Sequence, residues 1–378
     1  MAEQTYSRRI ILKWLAVGIG APPLLSACSP LRAPTGMTPR GGTRALGKVL
    51  VSPERVIRHV AGLRPFRRSG FNVGIERLGD KPIIHNYGHG GGGVSLSWGT
   101  AHLALQHALA TPYRDVAVVG CGAVGLATAR LFQDHGFTVT IYARDLPPDT
   151  TSNVAGASWA PVTVVDPERR TSTFDDHFVR ASRFAFRYFQ NLVGPRYGVW
   201  WRETYFISRY TGSGPASETA LIADLRPPSV SLAPGDHPFG SHHVSRALTM
   251  HIEPSVYLPA VLTDYRLAGG RLVVRDLADP QSVRALPHPL VVNCTGLGAA
   301  TLFNDTDMLP IKGQLTVLAP QPEVDYLTVG PGELYMMPRQ DGIILGGTHE
   351  SGEWSLEPNP AEIERIMRGH QHLFESMA

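Results

Sequence analysis

Two glycine-rich turns carry the clearest chemistry in this chain. The first lies in residues 82–99, which read PIIHNYGHGGGGVSLSWG. Ile83 and Ile84 lead into His85-Asn86-Tyr87, then Gly88, His89, Gly90, Gly91, Gly92 and Gly93. Val94, Trp98, Ala101, Leu105 and Ala108 follow at the three- and four-residue steps of one helix face. The pattern is strand, glycine turn, helix start. Glycines let backbone N–H groups approach a ligand with no Cβ in the way. The following helix aims its positive end at the same place. A plain flexible loop fits the same letters, so the second turn decides. There Val116-Ala117-Val118-Val119 runs into Gly120-Cys121-Gly122-Ala123-Val124-Gly125, which is G-x-G-x-x-G. A helix with Leu126, Ala129 and Leu131 stops at His135-Gly136, and a second strand covers residues 137–142. Within a strand–helix–strand unit this motif is a dinucleotide fingerprint. Gly120, Gly122 and Gly125 allow the tight turn, and Ala123 and Val124 open the helix on which a pyrophosphate would sit.

An acid is expected after the second strand to hold ribose hydroxyls. The chain offers Arg144-Asp145, with Asp145 on the ribose or Arg144 on the adenosine side. Residues 150–159, TTSNVAGASW, are a small-residue run. They fit either close approach to a flat ligand or an ordinary polar loop. His85 and His89 have no Cys or acid beside them in sequence, so they are expected to orient their loop and not to bind metal. Cys121 and Cys294 sit inside turn motifs and are expected to pack, not to act as nucleophiles.

The elements that must position these turns come from a chain of 378 residues, 18% charged and 43% hydrophobic. That is globular and long enough for one large core or two smaller ones. The net charge is +3, but residues 1–50 hold seven basic residues and one acid, so the remainder sums to −3. The basic excess is local and gives no case for nucleic acid. Three cysteines are too few for a disulfide framework. Ser7-Arg8-Arg9-Ile10-Ile11-Leu12-Lys13 is a twin-arginine pattern. An apolar stretch, 14–25, follows and is too short to span a bilayer. Leu25-Ser26-Ala27-Cys28 resembles a bacterial lipobox, read in preference to a plain cleaved signal or a chance cysteine; it implies export, cleavage before Cys28 and a lipid anchor to a membrane on the periplasmic side. Residues 29–47 read as a flexible tether, with the folded part beginning near Lys48.

Along the folded part, residues 175–210 are dense in aromatics, among them Phe178, Phe184, Phe189, Trp200, Trp201 and Phe206. They read as a helix and a strand of a second layer, mostly core. Residues 211–240 read as surface loops. A helix over 256–268 precedes strands at 271–275 and 290–292, and Asn293-Cys294-Thr295-Gly296 suits a third backbone contact to a nucleotide. A strand follows Lys312-Gly313-Gln314, residues 334–338 and 342–347 form a hairpin, and 360–372 is a last helix. Arg339 reads as a solvated surface charge in preference to a contact for an acidic substrate.

Together these pieces resemble the D-amino-acid oxidase family of flavoenzymes. The resemblance rests on GLRPFR at 62–67, HNYGHGGGGVSLSWG at 85–99, the GCGAVG turn, TTSNVAGASWAP at 150–161, VNCTG at 292–296 and YMMP at 335–338. It implies an α/β fold with a Rossmann-like FAD-binding domain and an antiparallel-sheet substrate domain. The order of motifs differs from the family's: segments that end a typical member come first here, at 50–110, which is a circular permutation. The expected organisation is a signal at 1–28, a tether at 29–47 and an FAD-binding domain at 48–165. That domain joins the permuted segment 48–110 to the G-x-G-x-x-G unit 111–165. It resumes at 246–310, with a substrate domain at 166–245 and 311–378. The permutation further predicts that the end near Met377 lies beside residues 49–53.

The resemblance implies FAD, held by Gly120, Gly122, Ala123, Val124, Gly125, Arg144 and Asp145, with Thr151, Ser152 and Gly156. Gly90, Gly91, Gly92, Gly93, Val94 and Ser95 would hold its isoalloxazine. Arg64 matches the family's carboxylate-clamping arginine and Tyr335 one active-site tyrosine. The Gly91 backbone would accept from the substrate amine. The Cα hydrogen would pass as hydride to flavin N5, oxidising a D-amino acid to a 2-oxo acid with ammonia and, from molecular oxygen, hydrogen peroxide. The segment 329–334 is shorter than the family's lid and lacks its second tyrosine. A dehydrogenase passing electrons to a quinone or other acceptor, or a flavin-binding lipoprotein without turnover, shares the fold.

Overall fold

The structure is a computed structural model that describes residues 45–156, 158–209, 218–240 and 242–377. The twin-arginine, lipobox and most of the tether assignments lie outside the described residues. Two sheets organise the rest. The smaller has six strands, in the order Asn72–Leu78, Lys81–Tyr87, Leu290–Asn293, Asp115–Val119, Thr138–Ala143 and Arg271–Val274. The last five run parallel, and Asn72–Leu78 pairs antiparallel at one edge.

Parallel strands are apolar on both faces because both faces are covered. Val116, Val118, Ile141 and Val292 pack on one side beneath the helices Gly93–Leu109, Ala123–Asp134, Ser172–Asn191 and Pro254–Leu267. Ala117, Val119, Tyr142 and Val291 pack on the other against Leu277, Val283, Leu286 and Leu302. Helix Ser172–Asn191 is capped by Thr171, whose side chain accepts from the Phe174 N–H. It buries Phe174, Phe178, Ala181, Ala185 and Phe189 along one stripe. Gly99 lets it approach helix Gly93–Leu109, since a Cβ there would run into the Ala181 carbonyl.

The larger sheet has nine strands. Its main path runs Val56–Arg67, Met308–Leu318, Gly342–Gly346, Tyr335–Arg339, Leu327–Val329, Val199–Ser208, His243–Ile252, Val230–Leu232. The short strand Glu350–Ser351 joins Met308–Leu318 from the side. Its back face packs Tyr205, Tyr326, Met336, Ile343 and Leu345 against Ile366, Leu373 and Phe374 of helix Pro360–Glu375. The front face carries Leu315, Val317, Leu327, Met337 and Ile344, with Tyr335 and Val154.

The sequence groups 48–110 with the nucleotide-binding part, but strand Val56–Arg67 runs in the larger sheet. It pairs antiparallel with Met308–Leu318 from Val56↔Leu318 to Arg67↔Met308. Residues 72–109 then return to the smaller sheet, so this segment joins both layers. Lys48 Nζ donates to the Glu375 carbonyl at 3.1 Å. The Tyr326 hydroxyl donates to the Gly47 carbonyl at 2.8 Å and contacts Met377 Sδ at 3.9 Å.

Candidate active site

A cavity of about 1360 Å³ opens between the two sheets. Its inner wall is built where the parallel strands end. The segments after Asp115–Val119, Thr138–Ala143, Arg271–Val274 and Leu290–Asn293 all face it, through Gly120 to Val124, Arg144-Asp145, Arg275 to Ala278, and Cys294 to Gly298. This is the end of a doubly wound sheet at which ligands bind.

The Gly120 turn is held tightly. Gly120 has φ +112° and donates to the Tyr142 carbonyl at 2.8 Å. A Cβ on Gly120 would run into the Cys294 carbonyl, and one on Gly125 into the Gly120 carbonyl. Helix Ala123–Asp134 opens directly on the cavity, and Ser152 Oγ accepts from the Ala123 N–H at 2.9 Å. Thr151, Ser152 and Gly156 therefore border the helix N-terminus or the adjoining wall. Arg144 and Asp145 face the cavity and pair with each other, Nε to Oδ2 at 2.9 Å. Both cysteines are buried, which pushes each thiol up to about 12 and keeps it protonated.

The glycine run begins at His89. Its ring stacks on Phe71 and its Nε2 lies 2.9 Å from Thr100 Oγ1. Burial holds it neutral, down to about 3. Gly91 donates to the Thr163 carbonyl at 3.1 Å, and a Cβ there would sit 2.7 Å from the Val162 carbonyl. Gly90, Gly91, Gly93, Val94 and Ser95 line the cavity. Ser95 Oγ donates to the Ser158 carbonyl and accepts from the Ala160 N–H, tying the helix to the small-residue run. Two glycines expected at a cofactor are not on the wall. Gly92 backs onto Val164 and Leu96, and Gly125 onto Gly120. They are needed for close backbone packing behind the surface. His85 is bound away from the cavity: the Asn293 amide donates to its Nδ1 at 3.1 Å, leaving Nε2 to donate to Glu76 at 2.8 Å.

Across the cavity stand Arg64 and Tyr335. The Arg64 guanidinium lies over Gly313, where a Cβ would be 2.5 Å from Nη2. Its Nη1 donates to the Thr348 carbonyl at 3.3 Å. The Tyr335 ring lies over Gly346 and beside Gly156, 3.2 Å from where a Cβ would stand. Its hydroxyl lies beside the Arg64 guanidinium. Burial outweighs that cation and raises the phenol, so it stays protonated.

Sequence reasoning passed over His349, Trp354 and Leu356 on the wall and read Trp201 and Phe206 as mostly core. His349 faces the cavity and is held below its ordinary value, first by burial and then by Arg64. Trp201, Phe206, Val329, Trp354 and Leu356 form an apolar wall. Trp354 remains 58% exposed at its edge. Arg339 corrects its sequence reading. It is 7% exposed, absent from the wall, and bidentate to Asp341 with both N···O distances 2.8 Å. Its Nη1 donates to the Ala155 carbonyl. The Arg-x-Asp spacing across a hairpin turn was the available signal.

The family model described as DAO, FAD dependent oxidoreductase, matches residues 115–378. The chain belongs to this family. The FAD-dependent oxidoreductase is 34% identical over 257 residues to the D-amino-acid oxidase of Rubrobacter xylanophilus, 66% of this chain and 74% of that one. It is 30% identical over 260 residues to the human D-aspartate oxidase, 67% and 73% of the two chains. Among solved structures, the dithionite-reduced L-alpha-glycerophosphate oxidase of Mycoplasma pneumoniae with FAD bound shares the fold at a TM-score of 0.51 and 13% identity. That match covers 71% of this chain and 80% of that one.

The cavity of this FAD-dependent oxidoreductase fits its cofactor. The Gly120 cradle has no room for a side chain, and a helix N-terminus faces it for a pyrophosphate. Asn86 on the wall keeps Oδ1 buried with no protein partner, an acceptor suited to a hydroxyl or imide donor.

Proposed function

We propose that this protein oxidises D-amino acids to 2-oxo acids, releasing ammonia and passing electrons to oxygen as hydrogen peroxide. One observation carries the reading: a guanidinium and a phenol hydroxyl meet on the cavity wall, in the layer opposite the glycine turns. The names of the curated relatives support the substrate class.

Arg64 offers a planar fork of donors matched to a carboxylate, and Tyr335 adds an O–H to the same group. The Gly91 carbonyl accepts from the amine. The N-terminus of helix Gly93–Leu109 stabilises negative charge that develops beside it. FAD, when bound, supplies the acceptor for the two electrons and hydrogen removed from Cα. Arg64, Tyr335 and Gly91 fix the substrate at three points, so positioning does most of the work. His349, which also lies near Arg64, is kept neutral by burial and that cation. An amine that arrives neutral needs no strong side-chain base.

The test is a panel of D- and L-amino acids added to purified yellow enzyme, first without oxygen and then with it. Bleaching by D-amino acids without oxygen and peroxide with it supports the oxidase. Bleaching with slow reoxidation moves the reading to a dehydrogenase, and no bleaching by any amino acid overturns it.

We also propose that the chain is circularly permuted relative to its family. The family match begins at residue 115, yet residues 56–109 complete both sheets. Gly47 and Met377 meet at Tyr326, which supports the reading. The twin-arginine and lipobox motifs support export and lipidation at Cys28. Mass spectrometry of a diacylglyceryl-modified Cys28 tests that proposal, with C28A expected to release the enzyme from membranes.

A further inference from the structure

Helix Pro360–Glu375 packs behind the larger sheet, on the face away from the cavity. Asn359 caps it, and Ile366, His370, Leu373 and Phe374 form its buried stripe. Three of those four are apolar. His370 is fully buried, yet its two nitrogens face two acceptors. Nδ1 lies 2.8 Å from the Ile366 carbonyl of its own helix, and Nε2 lies 3.1 Å from the carbonyl of Tyr335. A neutral imidazole has one N–H. Burial, with Arg365 adding to it, keeps this ring neutral, so one of the two contacts goes without a proton. An apolar side chain would fill the stripe without that conflict. The histidine is worth its cost if Nε2–H holds Tyr335 in place.

Arg365, five residues earlier on the helix, grips the neighbouring backbone. It donates to the carbonyl of Gly332 at 3.1 Å and to that of Gly347. Gly347 immediately precedes Thr348, whose carbonyl accepts from Arg64. Gly369 completes the fit, since a Cβ there would stand 2.5 Å from Leu334 Cδ1, next to Tyr335 in the chain. The tyrosine ring is flanked by Gly346 and Gly156, which offer no side chain to grip it. Its backbone, paired with Val329 and Gly346, sets where the ring enters the front-face cluster.

We infer that His370 and Arg365 are positioning residues that hold Tyr335 and the Thr348 carbonyl in register with Arg64 from behind the sheet. The inference rests on the carboxylate role of the Arg64–Tyr335 pair proposed above. The measurement is KM and kcat for one D-amino acid, with the dissociation constant of propionate, a carboxylate without an amine, read from the flavin spectrum of holoenzyme. His370→Leu raises KM and the propionate constant by about fivefold, with kcat changed less than twofold. His370→Gln, which keeps a donor, recovers most of the loss. In a Tyr335→Phe background, His370→Leu adds little, because both act through one hydroxyl. Unchanged KM in His370→Leu, or equal losses in the Leu and Gln variants, overturns the inference. If His370→Leu fails to fold, Arg365→Met, on a partly exposed side chain, is read in the same way. If Tyr335→Phe leaves propionate binding untouched, the carboxylate reading itself fails.

Discussion

The guanidinium of Arg64 and the hydroxyl of Tyr335 face each other from two strands that are not neighbours in the sheet. Met308–Leu318 and Gly342–Gly346 lie between them. Gly313 and Gly346 make the contact possible, one beneath each side chain. Bare backbone under both lets a long side chain and a ring lie flat and meet.

Removing the fork removes the carboxylate anchor. Arg64→Ala lowers kcat/KM by about a thousandfold, the value of two charge-assisted hydrogen bonds. Arg64→Lys keeps the charge, loses the fork and falls between. Steady-state kinetics on holoenzyme check this, with equal activity in Arg64→Ala as the refuting result.

Gly125→Ala presses a methyl into the Gly120 carbonyl. The turn must open, and the protein purifies with little or no bound flavin. Gly74→Ala, in an open position of strand Asn72–Leu78 with its nearest atom at 3.7 Å, keeps its flavin. Absorbance of the purified variants separates the two.

Acid destabilises the fold through its buried histidines. His89 and His251 are pushed down to about 3 and His370 to about 4, from an ordinary 6.5, chiefly by burial. Below 6.5 the unfolded chain takes up protons that the folded chain refuses, so stability is full above that value and is lost as the pH falls toward 3. Each histidine contributes a slope of about 1.4 kcal/mol per pH unit in that window. Denaturant unfolding at pH 7, 6 and 5 measures it, and His89→Gln removes about one such increment.

Thiol reagents pass the folded protein by. Cys121 and Cys294 are buried and held protonated. Iodoacetamide at pH 8 leaves activity intact and labels neither residue until denaturant is added, as peptide mass spectrometry shows.

Restoring the family's order is a direct test of the permutation. Residue 377 joined to residue 49 by a short linker, with new ends opened between Pro112 and Tyr113, yields a yellow protein with unchanged kinetics. The Lys48–Glu375 bond marks how small that gap is.

The glycine turns were legible because their conformations exclude other residues. At Gly120 the positive φ and the Cys294 carbonyl demand glycine, so the requirement is written in the letters. The continuous apolar runs that pack both faces of the smaller sheet, such as Val116 to Val119, were equally open to reading. His349 and Trp354 were not, since a lone histidine or tryptophan carries no spacing of its own, and Trp201 was read as core. Only the sheet order brings them to the cavity. Arg339 misled because its partner Asp341, two residues on, was not weighed with it. Strand Val56–Arg67 was grouped with its sequence neighbours, although its pairing partner lies far along the chain.

That pairing has a consequence for how the enzyme is made. Val56–Arg67 emerges early from the ribosome and cannot find its place until Met308–Leu318 has been synthesised. Contacts so distant in sequence are slow to form, and the waiting strand is an unpaired edge meanwhile. No nascent chain shorter than 335 residues holds both halves of the proposed carboxylate clamp, Arg64 and Tyr335. Catalytic competence therefore arrives late in a polypeptide's life, close to its release from the ribosome.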